Sequence, residues 1–138
     1  MSAELILAPD PVEVVVAELA RVLPTVDGYT KAVAGGYVPS PRPALFVRVR
    51  SVGGAQDDVA HLTPTVTVEA YASSDGAAAR LGWVCHAIML AAGRNLSVGG
   101  HPCSSVGVFS LPQDLPDPTT DQSRSTATYA VSLRGVVA

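Results

Sequence analysis

Ala44-Leu-Phe-Val-Arg-Val-Arg50 and Thr65-Val-Thr-Val-Glu-Ala-Tyr71 are two alternating runs. Successive side chains on a strand point to opposite faces, so Leu45, Val47 and Val49 make one apolar row while Phe46, Arg48 and Arg50 make a basic one. In the second strand, from about Thr63 to Tyr71, Val66, Val68 and Ala70 alternate with Thr65, Thr67, Glu69 and Tyr71. Gly53-Gly54 and Asp57-Asp58 supply turn chemistry between the runs, so they are expected to pair as antiparallel neighbours. Arg48 and Glu69 would then share a face, a cross-strand pair worth about 0.2–1 kcal/mol.

Working outward toward the N-terminus, the segment from Thr25 to Pro43 loses periodicity. Gly28, Gly35, Gly36, Pro39, Pro41 and Pro43 punctuate it as a loop or irregular hairpin. Before it, Asp10 can cap a helix, Pro11 lacks the amide that a first turn leaves unpaired, and Glu13 stands where a capping box needs it. Val12, Val16, Leu19, Ala20 and Leu23 recur near helical spacing, which predicts a helix from Pro11 to Leu23, closed by Pro24.

Toward the C-terminus, Ser73, Ser74 or Asp75 can cap a second helix with Ala77, Leu81, Val84, Cys85, Ile88 and Ala92 on its apolar stripe and Gly93 as its stop. Residues Arg94 to Pro102 read as a glycine-rich connection. Val106, Val108 and Phe109 mark a short strand, and the prolines and aspartates from Leu111 to Asp121 predict an extended, solvated arm. A last strand spans Arg124 to Val136, with Tyr129, Val131 and Leu133 toward the core. The order helix, strand, strand, helix, strand, strand predicts a single α+β domain over residues 1–138, with a mostly antiparallel sheet, two packing helices and polar extended loops. A doubly wound sheet needs repeated crossovers that the hairpin-like middle lacks.

A chain of 138 residues and 14.1 kDa should expose roughly 6,700 Å² when folded, enough burial for one core and too little for two domains. Its formal charge is -3, and Lys31 is its one lysine, which opposes a wide phosphate-binding face. The first ten residues lack the basic region of a signal peptide, and the apolar run near Trp83 to Ala92 is interrupted by His86 and short of a span, so a soluble chain is expected. Two cysteines are too few for a disulfide framework and fit reduced thiols. The apolar content is dominated by Ala and Val, which bury less area than Leu and Phe and make support from partner subunits attractive.

Catalytic and metal chemistry find no specific pattern. Cys85 and His86 are adjacent, but neighbours on a helix point about 100° apart, so adjacency does not make a thiol–imidazole contact. An inert Cys85 packed with Leu81 and Ile88, and a His86 set on a polar face or satisfied at an interface, are the expectations. His61, His86, His101 and Cys103 lack zinc spacing. Gly99-Gly100 reads as a turn, and Asp114, Asp117 and Asp121 do not form a calcium loop. No catalytic residue, cofactor or metal is expected.

Leu115-Pro-Asp-Pro-Thr-Thr-Asp-Gln-Ser-Arg-Ser-Thr-Ala-Thr-Tyr-Ala-Val-Ser-Leu-Arg-Gly135 resembles the proline-and-threonine loop and terminal strand of the tail terminator proteins of long-tailed bacteriophages, a family also found in prophages and gene transfer agents. The two alternating runs and the alanine-rich helix extend that resemblance in the same order over most of the chain, and residues 25–41 and 94–104 match it less distinctly. The resemblance implies a non-enzymatic virion protein at the head-proximal end of the tail, assembled in the host cytoplasm. It implies a homo-hexameric ring that stops addition of the major tail tube protein and presents a joining surface to a neck or head-completion protein. DNA would pass through without sequence-specific recognition, and no membrane is involved. A neck or head-completion adaptor is the alternative within the same assembly, and a small enzyme of unrecognised type is the alternative outside it.

A closed ring needs two unlike lateral surfaces. Arg42, Arg48 and Arg50 form one candidate patch and Asp114, Asp117 and Asp121 a complementary acidic one; ordinary solvated surface is the plainer reading. Arg124 and Arg134, ten residues apart on one strand face, are further candidates for a lateral contact or the border of a channel.

Overall fold

The computed structural model describes residues 2–120 and 122–138. Two helices lie on one face of a six-stranded sheet, giving the expected α+β domain. The elements are β1 (Ile6–Leu7), α1 (Pro11–Val22), a 3-10 turn (Leu23–Thr25), β2 (Val33–Gly35), β3 (Phe46–Gln56), β4 (His61–Ala72), α2 (Asp75–Asn95), β5 (Ser97–Val98), β6 (His101–Asp114), β7 (Ser123–Arg134) and β8 (Val136–Val137). The large sheet runs β2-β3-β4-β7-β6-β5, antiparallel throughout except for the parallel edge pair β2–β3, and β1 pairs with β8 in a separate two-stranded ribbon.

The alternating runs behave as read. Val47 pairs with Ala70 and Val49 with Val68, and β4 in turn places Val68 opposite Ala127 and Val66 opposite Tyr129. This aligned apolar face meets Val15 and Leu19 of α1 and Leu81, Cys85, Ile88 and Met89 of α2, all buried. α2 is long and apolar enough to cross a membrane by length and composition, and its buried stripe packs on β4, β6 and β7.

Several boundaries move. Asp10 Oδ1 accepts from the amides of Val12 at 2.9 Å and Glu13 at 3.5 Å, but the hydrogen bonds of the described residues include no return bond from the Glu13 side chain. The buried face of α1 is Val14, Val15, Glu18 and Leu19, rotated from the expected stripe so that Val12 and Val16 lie at its margin and Ala20 is exposed. Glu18 Oε1 accepts the Gly99 amide at 2.9 Å and Oε2 meets Arg21 at 2.7 Å, which fastens α1 to the β5–β6 turn. Gly99 has φ +55°, and a Cβ there would lie 2.3 Å from the Val14 carbonyl, so only glycine fits.

Ser74 is the cap of α2, accepting from the Ala77 amide at 3.2 Å. Gly93 does not stop this helix. It continues to Asn95 and ends on Leu96 in the left-handed region, while Gly93 lies against Val106, where a Cβ would stand 3.3 Å away. The irregular segment before Pro43 contains β2, and β3 runs on through Gly53-Gly54, with a register shift there, to Gln56. The expected arm is shorter than its composition suggested: β6 extends to Asp114, with Leu111 and Pro112 inside a register shift between Ser110 and Gln113. Proline is tolerated at such a bulge on an edge strand.

Candidate functional site

The sheet face away from the helices carries a buried carboxylate. Register puts Glu69 between Arg48 on β3 and Thr126 on β7, with Phe46 opposite Tyr71 and Tyr71 opposite Arg124. Glu69 is 2% exposed. Its Oε1 accepts from Arg50 Nε at 3.2 Å and its Oε2 from Arg124 Nη1 at 2.9 Å, while Arg48 Nη1 stands 3.9 Å away. A carboxylate survives burial when charge-assisted bonds replace its lost water, and Glu69 has one on each oxygen. Phe46 and Tyr71 stack at 4.5 Å and 9° beside the carboxylate, and the Arg124 guanidinium lies 6.0 Å from the centre of the Tyr71 ring.

The loop between β6 and β7 folds back over this face. Its ladder continues past β6 through the Leu115 amide to the Arg124 carbonyl at 2.9 Å and the Asp117 amide to the Gln122 carbonyl at 3.0 Å. Arg124 Nε donates to the Leu115 carbonyl at 2.8 Å, and Arg42 donates to the Gln122 side chain. Asp117 is buried, contrary to the expected solvated arm, and accepts the Thr119 amide at 2.9 Å. That amide, reinforced by Thr120 and by the charge of Arg124, holds its carboxyl below the ordinary aspartate value.

The result is a polar cavity of about 380 Å³ lined by Val38, Arg42, Arg48, Arg50, Asp117 and Arg124, with Glu69 and Tyr71 at its base. Five of the eight sequence-predicted residues thus meet at one place within a single chain, and among the described residues the arginines bond Glu69, Gln122 and the Leu115 carbonyl, with no Arg–Asp ion pair. Asp114 lies apart, exposed at the end of β6 opposite Ser125. Arg134 is at the far end of β7 beside His61, about 33 Å from Arg124 along the strand. Asp121 lies outside the described residues. Among the described residues, four guanidiniums face two carboxylates, a local surplus of two positive charges in a chain of net charge -3. The sequence had paired Glu69 with Arg48 alone; its role as the hub needed the β4–β7 register, which brings Arg124 from 55 residues away.

On the helix side of the sheet, Cys85 and His86 do not combine. Burial pushes the Cys85 thiol up to about 12, so it is not a thiolate near neutral pH. His86 Nδ1 instead meets the Tyr129 hydroxyl at 2.9 Å, and its ring sits edge-on to Trp83 at 5.2 Å. Burial lowers its pKa and raises that of Tyr129. His61 pairs with Asp58 at 2.7 Å in the β3–β4 turn, and the described residues hold no group of three or more His, Cys, Asp or Glu that could hold a metal ion. No protein-family model matches the chain, and no curated protein matches it.

Proposed function

We propose that this chain is a non-enzymatic ring subunit that caps the head-proximal end of a phage tail tube, stops its growth and offers the neck a joining surface. The reading rests on the resemblance of its loop and terminal strand to tail terminators, and one structural observation carries it: the large sheet ends in two unlike, largely open edges. β2 pairs only with Phe46, Val47 and Arg48, so among the described residues β3 from Val49 to Gln56 has no outer neighbour. At the other edge β5 pairs with His101 and Pro102 and the Leu96 carbonyl takes the Cys103 amide, so among the described residues β6 has no outer neighbour from Ser104 to Asp114.

Open edges of this length invite pairing, and a folded monomer normally blunts them. Here the β6 edge also exposes Val108, Phe109 and Leu111, with Phe109 70% exposed. Edges of different chemistry on opposite sides of one subunit suit the head-to-tail contacts by which a rotation closes into a ring. A hexamer is the expected closure, with the tube protein and the neck protein on its two axial faces and DNA passing through without base recognition.

Light scattering on the purified chain tests the lateral contact. The wild type should reach a discrete mass near six copies, and Phe109→Asp should shift it to the monomer while circular dichroism stays unchanged. A monomer at all concentrations, with or without tube protein, contradicts the ring.

A further inference from the structure

Among the described residues, the four arginines around Glu69 outnumber the two carboxylates of the cavity. Each Glu69 oxygen already holds a donor, from Arg50 and Arg124 respectively, and Asp117 Oδ1 is taken by the Thr119 amide. Arg48 is left 3.9 Å from the carboxylate, beyond hydrogen-bond range, and its Nε is buried with no hydrogen-bond partner among the described residues. Among the described residues, Arg42 donates to the neutral Gln122 side chain. Thr126 Oγ1, opposite Glu69 on β7, is a second buried polar atom without a partner among the described residues.

Such a group costs free energy unless something satisfies it. The cavity is open enough to admit a ligand, because the Arg48 and Arg50 side chains remain 36% and 44% exposed. Tyr71 at its base, backed by the stacked Phe46 ring, lowers the local dielectric and strengthens attraction to an anion.

We propose that this cavity binds one oxyanion, a phosphate group or a carboxylate, through Arg42, Arg48 and Arg50. Guanidinium forks match the paired oxygens of either group, and a bound anion of either kind reduces the local surplus of positive charge. Glu69 and Arg124 are then positioning residues: they hold Arg50 and the loop while Arg48 Nε and the N–H groups of Arg42 not bonded to Gln122 donate to the ligand. The site stands independently of the ring reading. Its ligand has two sources, a free phosphate or the acidic side chain of a second copy of this chain.

The test titrates sodium phosphate against sodium chloride at matched ionic strength, at a protein concentration where light scattering gives a single mass. Phosphate should raise the unfolding midpoint saturably and shift the Arg48 Nε–H resonance, with chloride doing neither. Arg48→Met and Arg42→Gln should each weaken phosphate binding about tenfold, the loss expected for one charge-assisted bond. Arg134→Gln, outside the cavity, should leave it unchanged. Phosphate acting like chloride, or equal phosphate responses in all three variants and the wild type, overturns the site. Should Arg48→Met fail to fold, the Arg48 Nε–H shift in the wild-type chain decides alone. Light scattering at higher protein concentration then separates the sources: phosphate that dissociates an assembly marks a second copy's carboxylate as the occupant, and an unchanged mass marks a free anion.

Discussion

Glu69 shows how one side chain organises a surface that the neighbouring arginines cannot organise alone. Glu69→Gln keeps the shape and one acceptor but removes the charge facing Arg50, Arg124 and Arg48. Because the arginines are partly solvated, the loss of stability should be about 1–3 kcal/mol, below the cost of breaking a fully buried pair, and denaturant midpoints will measure it. His86 makes a pH prediction from the opposite side of the sheet. Burial lowers its native pKa beneath 6.5, so the unfolded chain binds the proton more readily. This contribution to stability is complete above about pH 6.5 and is lost as pH falls from there to the lowered native value. The stability of His86→Gln should therefore fall less steeply than that of the wild type below pH 6.5; parallel curves would remove His86 as the cause.

Among the elements, α1 is the one whose start was most legible, because Asp10-Pro11 is a local signal that needs no tertiary partner. Asp10→Ala should lower stability by about 0.5–2 kcal/mol by orphaning the Val12 amide, read from the same denaturant midpoints. The face of α1 was less legible: a glutamate inside the buried stripe looks like its boundary, and only the Gly99 amide, 81 residues away, explains Glu18 there. The alternating strands were readable from period alone, since Val47, Val49, Val66 and Val68 face the core as expected. β6 was not, because Leu111-Pro-Gln-Asp114 carries loop composition and becomes strand only through pairing with β7 across its register shifts. For the candidate site, composition located the arginines, but which of them share a cavity depends on β3–β4 and β4–β7 registers fixed by long-range pairing. Arg134 shares a strand face with Arg124 and still lies at the opposite end of the molecule, a separation visible in the spacing itself.

The whole molecule exposes 7512 Å², more than the roughly 6,700 Å² expected of a compact monomer of its mass. The excess belongs to features that project or stay uncovered: the outer half of the β3–β4 hairpin, the open edge of β6 and the terminal ribbon with Leu5, Leu7, Val136 and Val137 exposed. In the proposed ring, a subunit that completes its sheet edges with copies of itself would cover this surface, and an alanine- and valine-rich core would gain stability from the same contacts. Several weak contacts engaged together by one ring would also hold it firmly on a tube end. Electron microscopy of polymerising tail tube protein, with the purified chain added in amounts far below the tube protein, tests termination most directly. The account predicts shortened tubes with extra density at one end only, and the same effect from Cys85→Ser, whose buried thiol takes no part. Uniform decoration along the tubes, unchanged tube lengths, or an effect abolished by Cys85→Ser in a folded protein would contradict it.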